Sequence, residues 1–476
     1  MAHQNSDVAL CVDTMNAKSS KNSMLWNYYD GDQPLAWTND KFSEVVKKGA
    51  VFVRNECIVV VDTTQNRIAV DAWKYPKDDT IRDEIGTIWK DVFSRSMTKI
   101  HQSVLVTGEG YLMVWPDEEG DVKAFCQAAS QAHVFYEGAD PYTPRLGCKR
   151  WIEHGPAGEV WRLNLYYTDR IEHYSASKAP NSDGGGFELG ETDDNKFETI
   201  PLFQFRLTDR EPVGDLTRGV ISLQDAINKL LNDMMVSAEY TGWPQRWAIG
   251  NFADGKTKVS PGTMVKIPPS AQGDQASAFG TFDSGDPNAY LKPIESMEES
   301  LSSQSGTPLY VFKGSAGSAG SALSGEALRV KDGPLVAKVE NYEVDLERAW
   351  VDAMAFALKI KETAADKDLI DVVWKDPHTM QPETKARTLV LNTQAGYPLK
   401  TLLRKEGVTE AELEELEKDM AANVVGTPAP QARAGVPPSA SDVQPAFEGV
   451  VQTPDIAGEI ARTGILARTV ARRNDN

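Results

Sequence analysis

At 476 residues, with 41% hydrophobic and 25% charged side chains, the chain is long enough for about three compact units and has a globular composition. Its 50 lysines and arginines face 69 aspartates and glutamates, a formal net charge of −19, which argues against a surface that wraps duplex DNA by neutralising phosphates. Four scattered cysteines without CxxC or CxxH spacing exclude a disulfide scaffold and supply no zinc ligand set, so a reducing compartment is expected.

The first twenty residues lack the basic and apolar regions of a signal peptide. The longest purely apolar run, Cys57 to Val61, is far short of the roughly 20 residues that span a bilayer. Neither secretion nor membrane insertion is expected. Residues 40 to about 200 read as mixed α and β. CIVVVD at 57–62, the stretch 103–126 and VWRLNLYYTDRIEHYS at 160–175 are β-rich. GYLMVW and DVKAFC form a predicted hairpin across Pro116 to Gly120, and NSDGGG at 181–186 with the acidic run at 191–195 reads as exposed loop. Ile200 to Phe205 is strand-like.

From Asp215, Leu216, Val220, Leu223, Ile227, Leu230 and Met234 recur in steps of four and three, which predicts a helix ended by Gly242 and Pro244. β-like pieces follow at 245–249 and 263–267, then Gly/Ser-rich sequence to about 285. A short helix is predicted from Pro293, with Ile294, Met297 and Leu301 on one face and Gly306 closing it. Residues 314–325, GSAGSAGSALSG, are too small to build a core and read as a flexible loop or a place of very close chain approach.

The longest periodic pattern comes next: Leu335, Val339, Tyr342, Leu346, Ala349, Ala353, Phe356 and Ile360. A helix from about Leu323 to Lys361 would span roughly 57 Å, with a kink expected at Gly333 and Pro334 because proline removes a backbone donor. Pro382 to Ala422 reads as a small helical set with Thr409 as an N-cap. From Thr427 the proline-rich chain reads as disordered, with one short helical stretch between Ile456 and Arg473.

Residues 250–257 match the phosphate-cradling pattern GxxxxGK[ST], in which Lys256 and Thr257 would reach phosphate and Mg²⁺. That chemistry needs a helix starting at the lysine, and Pro261 breaks its first turn, so a surface loop is the stronger reading. The six histidines show no metal-ligand spacing, and the acidic cluster at 117–121 lacks the calcium-loop pattern. Trp243 and Trp247 beside Arg246 suit either base stacking or, more commonly, anchoring of a helix end. No paired catalytic motif appears, which favours a structural protein without a cofactor rather than an enzyme.

The order of these elements, with the segments IPLFQFRLTDREPVGDLTRGVISLQDAINKLLNDMM at 200–235 and SGEALRVKDGPLVAKVENYEVDLERAW at 324–350, resembles the portal proteins of tailed bacteriophages. WNYYDGDQPL at 26–35 and VRNECIVVVDTTQNRIAV at 53–70 resemble the same family's opening, and the likeness spans residues 20 to 422. The resemblance implies an α+β, portal-like fold with an α/β wing, helical stem, small β-containing clip, long kinked helix and helical crown. By order, 1–210 would be mostly wing; 211–305 stem helices, with a clip at about 241–285; 306–325 the tunnel loop; 326–379 the long helix and return to the wing; and 380–426 the crown, with 427–476 a disordered tail.

The implied function is a ring of about twelve subunits at a unique capsid vertex of the virion, assembled in the host cytoplasm. Double-stranded DNA would be packaged through its channel by the terminase large subunit and later ejected. Major capsid protein, scaffold and head-completion or adaptor proteins would be the other partners. The residues implied to face DNA are Lys313, Gly314, Ser315, Gly317, Ser318, Gly320 and Ser321. A strongly acidic chain suits a channel that lets DNA slide, with a few lysines close to it. Two alternatives remain: another head-assembly or scaffold-type structural protein, and a P-loop ATPase of the packaging machinery working through Lys256.

Overall fold

The computed structural model describes residues 2–35, 52–138, 140, 142–155, 158–180, 185–208, 212–241, 246–249, 278–281, 286, 288–313, 325–378 and 382–405, and Leu413, Leu416 and Lys418. The chain divides into two compact units, Met1–His378 and Thr379–Asn476. The phosphate-loop match, Trp243, most of the 241–285 segment, Thr409 and the tail from 427 lie outside the described residues.

The chain opens with a 29-residue helix, α1 (Ala2–Asp30). Its N-terminal half buries Val8, Cys11, Val12 and Met15 against Leu146, Cys148, Leu163 and Leu165 of a five-stranded sheet, and Leu25, Tyr28 and Tyr29 farther along join the main core. The sheet runs β4 (Ala132–Tyr136), β5 (Pro144–Gly155), β6 (Gly158–Tyr166), β7 (Arg170–Ala176), β8 (Glu188–Asp194) in simple antiparallel order. A three-stranded sheet sets β2 (Glu109–Pro116) between β3 (Val122–Gln127) and β9 (Leu202–Arg206). Both faces of β2 are covered: Leu112 and Val114 enter the main core, while Tyr111 and Met113 enter a second cluster with Val134, Ile171 and Leu202. β1 (Val70–Lys74) pairs with β12 (Asp371–Trp374), and β10 (Arg246–Ile249) pairs with β11 (Ala278–Thr281).

The remaining helices of the first unit are α2 (Cys57–Gln65), α3 (Asp79–Ile88), α4 (Ser94–Thr107), α5 (Arg218–Thr241), α6 (Asn288–Ser305), α7 (Leu309–Lys313) and α8 (Gly325–Ile360). A π-helical turn, Trp89–Phe93, joins α3 to α4. In the second unit, α9 (Pro382–Gln394) and α10 (Leu399–Lys405) bury Leu389, Leu402 and Leu403 with Leu413.

The predicted hairpin is present, with Gly120 at φ +84° in its turn, and β6, β7 and β9 fall where alternation placed them. Four readings are corrected. The run at 57–62 is helical: Cys57, Val60, Val61 and Thr64 are buried at helical spacing, so the β-branched side chains fill a core rather than a sheet. Ser103 to Thr107 closes α4 rather than starting a strand. The acidic run at 191–194 belongs to strand β8, all seven of whose side chains are exposed; with neither face buried there is no alternation to read. Helix α6 begins at Asn288, where the Asp286 side chain accepts from the Asn288 N–H at 2.9 Å, and Pro293 sits inside it.

Helix α8 runs through Gly333 and Pro334 as one 36-residue element, and the predicted stripe is its inner face. Trp350, fully buried, is the hub. Its ring meets Trp89 at 5.2 Å and 82°, Phe205 at 4.7 Å and Phe93 at 6.0 Å, so one side chain joins α8 to the π-turn and to β9. Trp350 Nε1 donates to His101 Nε2 at 3.1 Å, which requires that nitrogen to be unprotonated. Burial, opposed by a hydrogen bond to the Ile68 backbone, drops the imidazole from its ordinary 6.5 to about 4.

The unfolded chain therefore takes up a proton at this ring near pH 6.5, the folded chain only near 4, and stability falls across that window as pH is lowered. We predict that the loss reaches a ceiling of about 3 kcal/mol from this one residue. Calorimetric Tm values between pH 7 and pH 4 should fall less steeply for His101→Gln than for the native chain, although its Tm at pH 7 is lower. Parallel slopes would refute the assignment.

Candidate nucleic-acid interface

Of the seven residues implied to face DNA, Lys313 is the one within the described residues; Gly314, Ser315, Gly317, Ser318, Gly320 and Ser321 lie outside them. Lys313 ends α7, and its Nζ stands 3.5 Å from Glu299 Oε1 on α6, with the side chain about 24% exposed. What the structure gives in detail is the frame that holds the two ends of the 314–324 segment, at Lys313 and at Gly325.

That frame is built on buried carboxylates and the arginines that reach them. Tyr310 on α7 donates to Asp332 Oδ1 on α8 at 2.6 Å, so the helices on either side of the Gly/Ser segment are tied directly. Arg67 reaches the other oxygen of Asp332 at 3.2 Å and the Pro377 carbonyl at 2.5 Å. Burial and the neighbouring Asp332 push the Tyr310 hydroxyl up to about 12, so it remains a donor. Nearby, Arg54 pairs with Glu298 of α6 at 2.6 Å, with Glu56, and with the Phe312 carbonyl of α7. Burial raises the Glu56 carboxyl, Arg54 opposes the rise and Glu298 adds to it.

The segment carrying Arg54, residues 52–56, has no regular secondary structure of its own and is bonded to α5, where Gln224, Asn228 and Asn232 recur every fourth residue and are buried. Asn232 Oδ1 accepts from the Phe52 N–H and its amide donates back to the Phe52 carbonyl. Asn228 Oδ1 accepts from the Arg54 N–H at 2.9 Å, and Gln224 Oε1 accepts from the Glu56 N–H at 2.7 Å. A column of helix amides thus replaces a neighbouring strand for residues 52–56.

Asp215 occupies the centre of the frame, 5% exposed. Its Oδ2 accepts from Thr64 Oγ1 on α2 at 2.7 Å and pairs with Lys338 Nζ on α8 at 3.0 Å. Its Oδ1 accepts from the Tyr342 hydroxyl at 2.8 Å, and its N–H donates to the Leu105 carbonyl of α4 at 2.7 Å. Lys338 also donates to the Ser305 carbonyl at the end of α6. The backbone fits closely there: a Cβ on Gly214 would fall 2.2 Å from the Leu105 oxygen, and Gly108, at φ +87°, would strike Val213.

The sequence marks Asp215 as a helix start but gives no sign of its partners Thr64, Lys338 and Tyr342, which lie 151, 123 and 127 positions away. Among the described residues no group of His, Cys, Asp and Glu could hold a metal ion, and no described helix is long and apolar enough to cross a membrane.

The family model for phage portal proteins of the SPP1 Gp6-like type matches residues 9–424. The chain belongs to this family. Curated relatives include the portal proteins of Mycobacterium phage D29, 26% identical over 227 residues, and of Mycobacterium phage L5, 25% identical over the same length. Each alignment covers 45% of this chain and 46% of the relative, so the chain matches about half the length of these portal proteins. Among solved structures, a chain from the neck of an empty gene transfer agent particle gives a TM-score of 0.44 at 13% identity, covering 72% of this chain and 86% of that one. A chain from the neck of the native particle, computed with C12 symmetry, also gives 0.44, at 12% identity, covering 74% and 89%. This portal-family chain has the α+β composition expected of it, and the family is a structural one.

Removing the Asp215 carboxylate should strand Lys338 in the interior. We predict that Asp215→Ala costs about 3–5 kcal/mol in denaturant unfolding, and that adding Lys338→Met recovers part of it. Additive losses in the double variant would show that the two groups act separately.

Proposed function

We propose that the chain is a phage portal subunit that closes into a cyclic homo-oligomer at one capsid vertex of the virion. Double-stranded DNA enters through its channel during packaging and leaves through it at ejection. The observation that carries this reading is the family match over residues 9–424, which takes in every element of the frame described above. The frame suits the role: the residues on either side of the Gly/Ser segment are tied to each other by the Tyr310–Asp332 hydrogen bond and to α6 through Arg54, which bonds the Phe312 carbonyl and pairs with Glu298, so small residues are presented from a bonded base. Residues 314–321, with Lys313 at their edge, are the proposed DNA-facing segment. A net charge of −19 keeps phosphate from binding tightly elsewhere.

On this reading the terminase large subunit, major capsid protein, scaffold and head-completion or adaptor proteins are the partners, the subunits assemble in the host cytoplasm, and the chain performs no catalysis. Residues 1–210 with the return after α8 form the wing, α5 and α6 the stem, the hairpin region between them the clip, and residues 380–426 the crown.

Native mass with negative-stain imaging tests the reading: about twelve copies of the 52.3 kDa chain, roughly 630 kDa, with a central hole. A particle that stays monomeric with and without scaffold protein would overturn it. We also predict that Lys256→Ala leaves ATP turnover of the purified protein unchanged at background; a lysine-dependent rate would favour the packaging ATPase.

A further inference from the structure

The first unit carries two surfaces of opposite sign at opposite edges of one sheet. At the β4 edge, a groove of about 540 Å³ opens between the C-terminal half of α8 and strands β4 and β9. Four basic side chains line it (Arg206, Arg348, Lys359 and Lys367) against two carboxylates, Asp345 and Asp352, a net excess of two positive charges in a chain whose overall balance is strongly acidic. Asp352 pairs with Lys367 and, at 3.8 Å, with Arg348, and Lys359 donates to the Phe197 carbonyl and Thr199. Its rim is apolar and open to solvent: Val344 is 70% exposed on a helix whose inner face is otherwise core, and Tyr142 is 47% exposed. The Arg348 guanidinium lies 3.7 Å over the Tyr142 ring. Stacking engages the face of a guanidinium and leaves its edge N–H groups suited to a planar carboxylate.

At the other edge lies β8, Glu188–Asp194, with every side chain exposed. Its sequence ELGETDD holds four carboxylates and no basic residue, and among the described residues no strand pairs with its outer side. Edge charges also block indiscriminate strand pairing. Here, however, the acidic edge has a basic, concave counterpart about 19 Å away, four strand spacings across the same sheet. No subunit can fill its own groove with its own β8, because the two lie at opposite ends of one rigid ladder.

We propose that the groove is the socket for the acidic strand Glu188–Asp194 of a second copy of the chain, so that successive copies join head to tail. Unlike surfaces meeting in this way generate a ring when the rotation closes. The inference rests on the ring reading and adds which surfaces make the joint. The carboxylates of β8 join Asp352 around Arg348 and Lys367, where the groove's cations outnumber its own carboxylates, and the apolar side of Leu189, 44% exposed, covers Val344. Such a contact weakens with salt, since the charges at its rim are screened within about 8–10 Å.

Charge exchange tests it on the full-length chain. One variant carries Glu188→Lys and Glu191→Lys; the other carries Arg348→Glu and Lys367→Glu. Thermal melts confirm that each is folded; the strand pair, fully exposed, tests the proposal even if the groove pair is not. Alone, each variant opposes like charges at every joint, and the fraction of native-mass particles in rings is expected to fall at least tenfold. Mixed, basic strand meets acidic groove and acidic strand meets basic groove, so rings of alternating variants are expected to return. Rings formed as readily by each variant alone as by the native chain would overturn the docking and leave the ring reading standing. A mixture that stays unassembled while the native chain forms rings would overturn it as well. A native chain that forms no ring at low or high salt would overturn the ring reading and this joint together.

Discussion

Asp215 is one residue that ties four elements together. Thr64 brings α2, Lys338 and Tyr342 bring α8, its own N–H brings the end of α4, and Lys338 carries the link to the end of α6. A charge buried to this degree is tolerated because an ammonium and two hydroxyl donors face it, and the geometry of each donor is then fixed by the others. Helices from the first hundred residues, from the middle of the chain and from its long C-terminal rod thereby share one origin. Gly214 and Gly108 exist at the places where the backbone must come close enough for this to happen.

Two further devices extend that origin outward. The amide column Gln224, Asn228 and Asn232 holds residues 52–56 against α5 and so delivers Arg54 to Glu298 and to the Phe312 carbonyl. The aromatic cluster around Trp350 holds the other end of α8, joining it to the π-turn and to β9. Polar bonding governs the half of α8 near Gly325, and aromatic packing the half that ends near Ile360. The division follows composition, since Asp332 and Lys338 lie in the first half and Trp350 and Phe356 in the second.

Much of this was legible in the sequence wherever one face of an element is apolar. The stripe from Leu335 to Ile360 is the buried face of α8, and the hairpin of β2 and β3 carries its turn glycine. The run at 57–62 reads as strand by its β-branched residues, although Cys57, Val60, Val61 and Thr64 stand at helical intervals. Strand β8 was illegible for the opposite reason: it buries neither face, and its place is fixed by hydrogen bonds to β7. The frame of the candidate site was hidden because its members are polar and far apart in sequence. Arg67 and Asp332 are 265 positions apart, and nothing local marks either as the other's partner. The seven DNA-facing residues followed from family order, and Lys313, the one of them among the described residues, pairs with Glu299.

The tie between Tyr310 and Asp332 also sets how force travels. A pull applied to the segment between Lys313 and Gly325 arrives at two helices that are already bonded to each other a short distance from their ends. A load on either end is therefore shared between α7 and α8 through a hydroxyl and a carboxylate, with the guanidinium of Arg67 behind them, rather than carried by one helix alone.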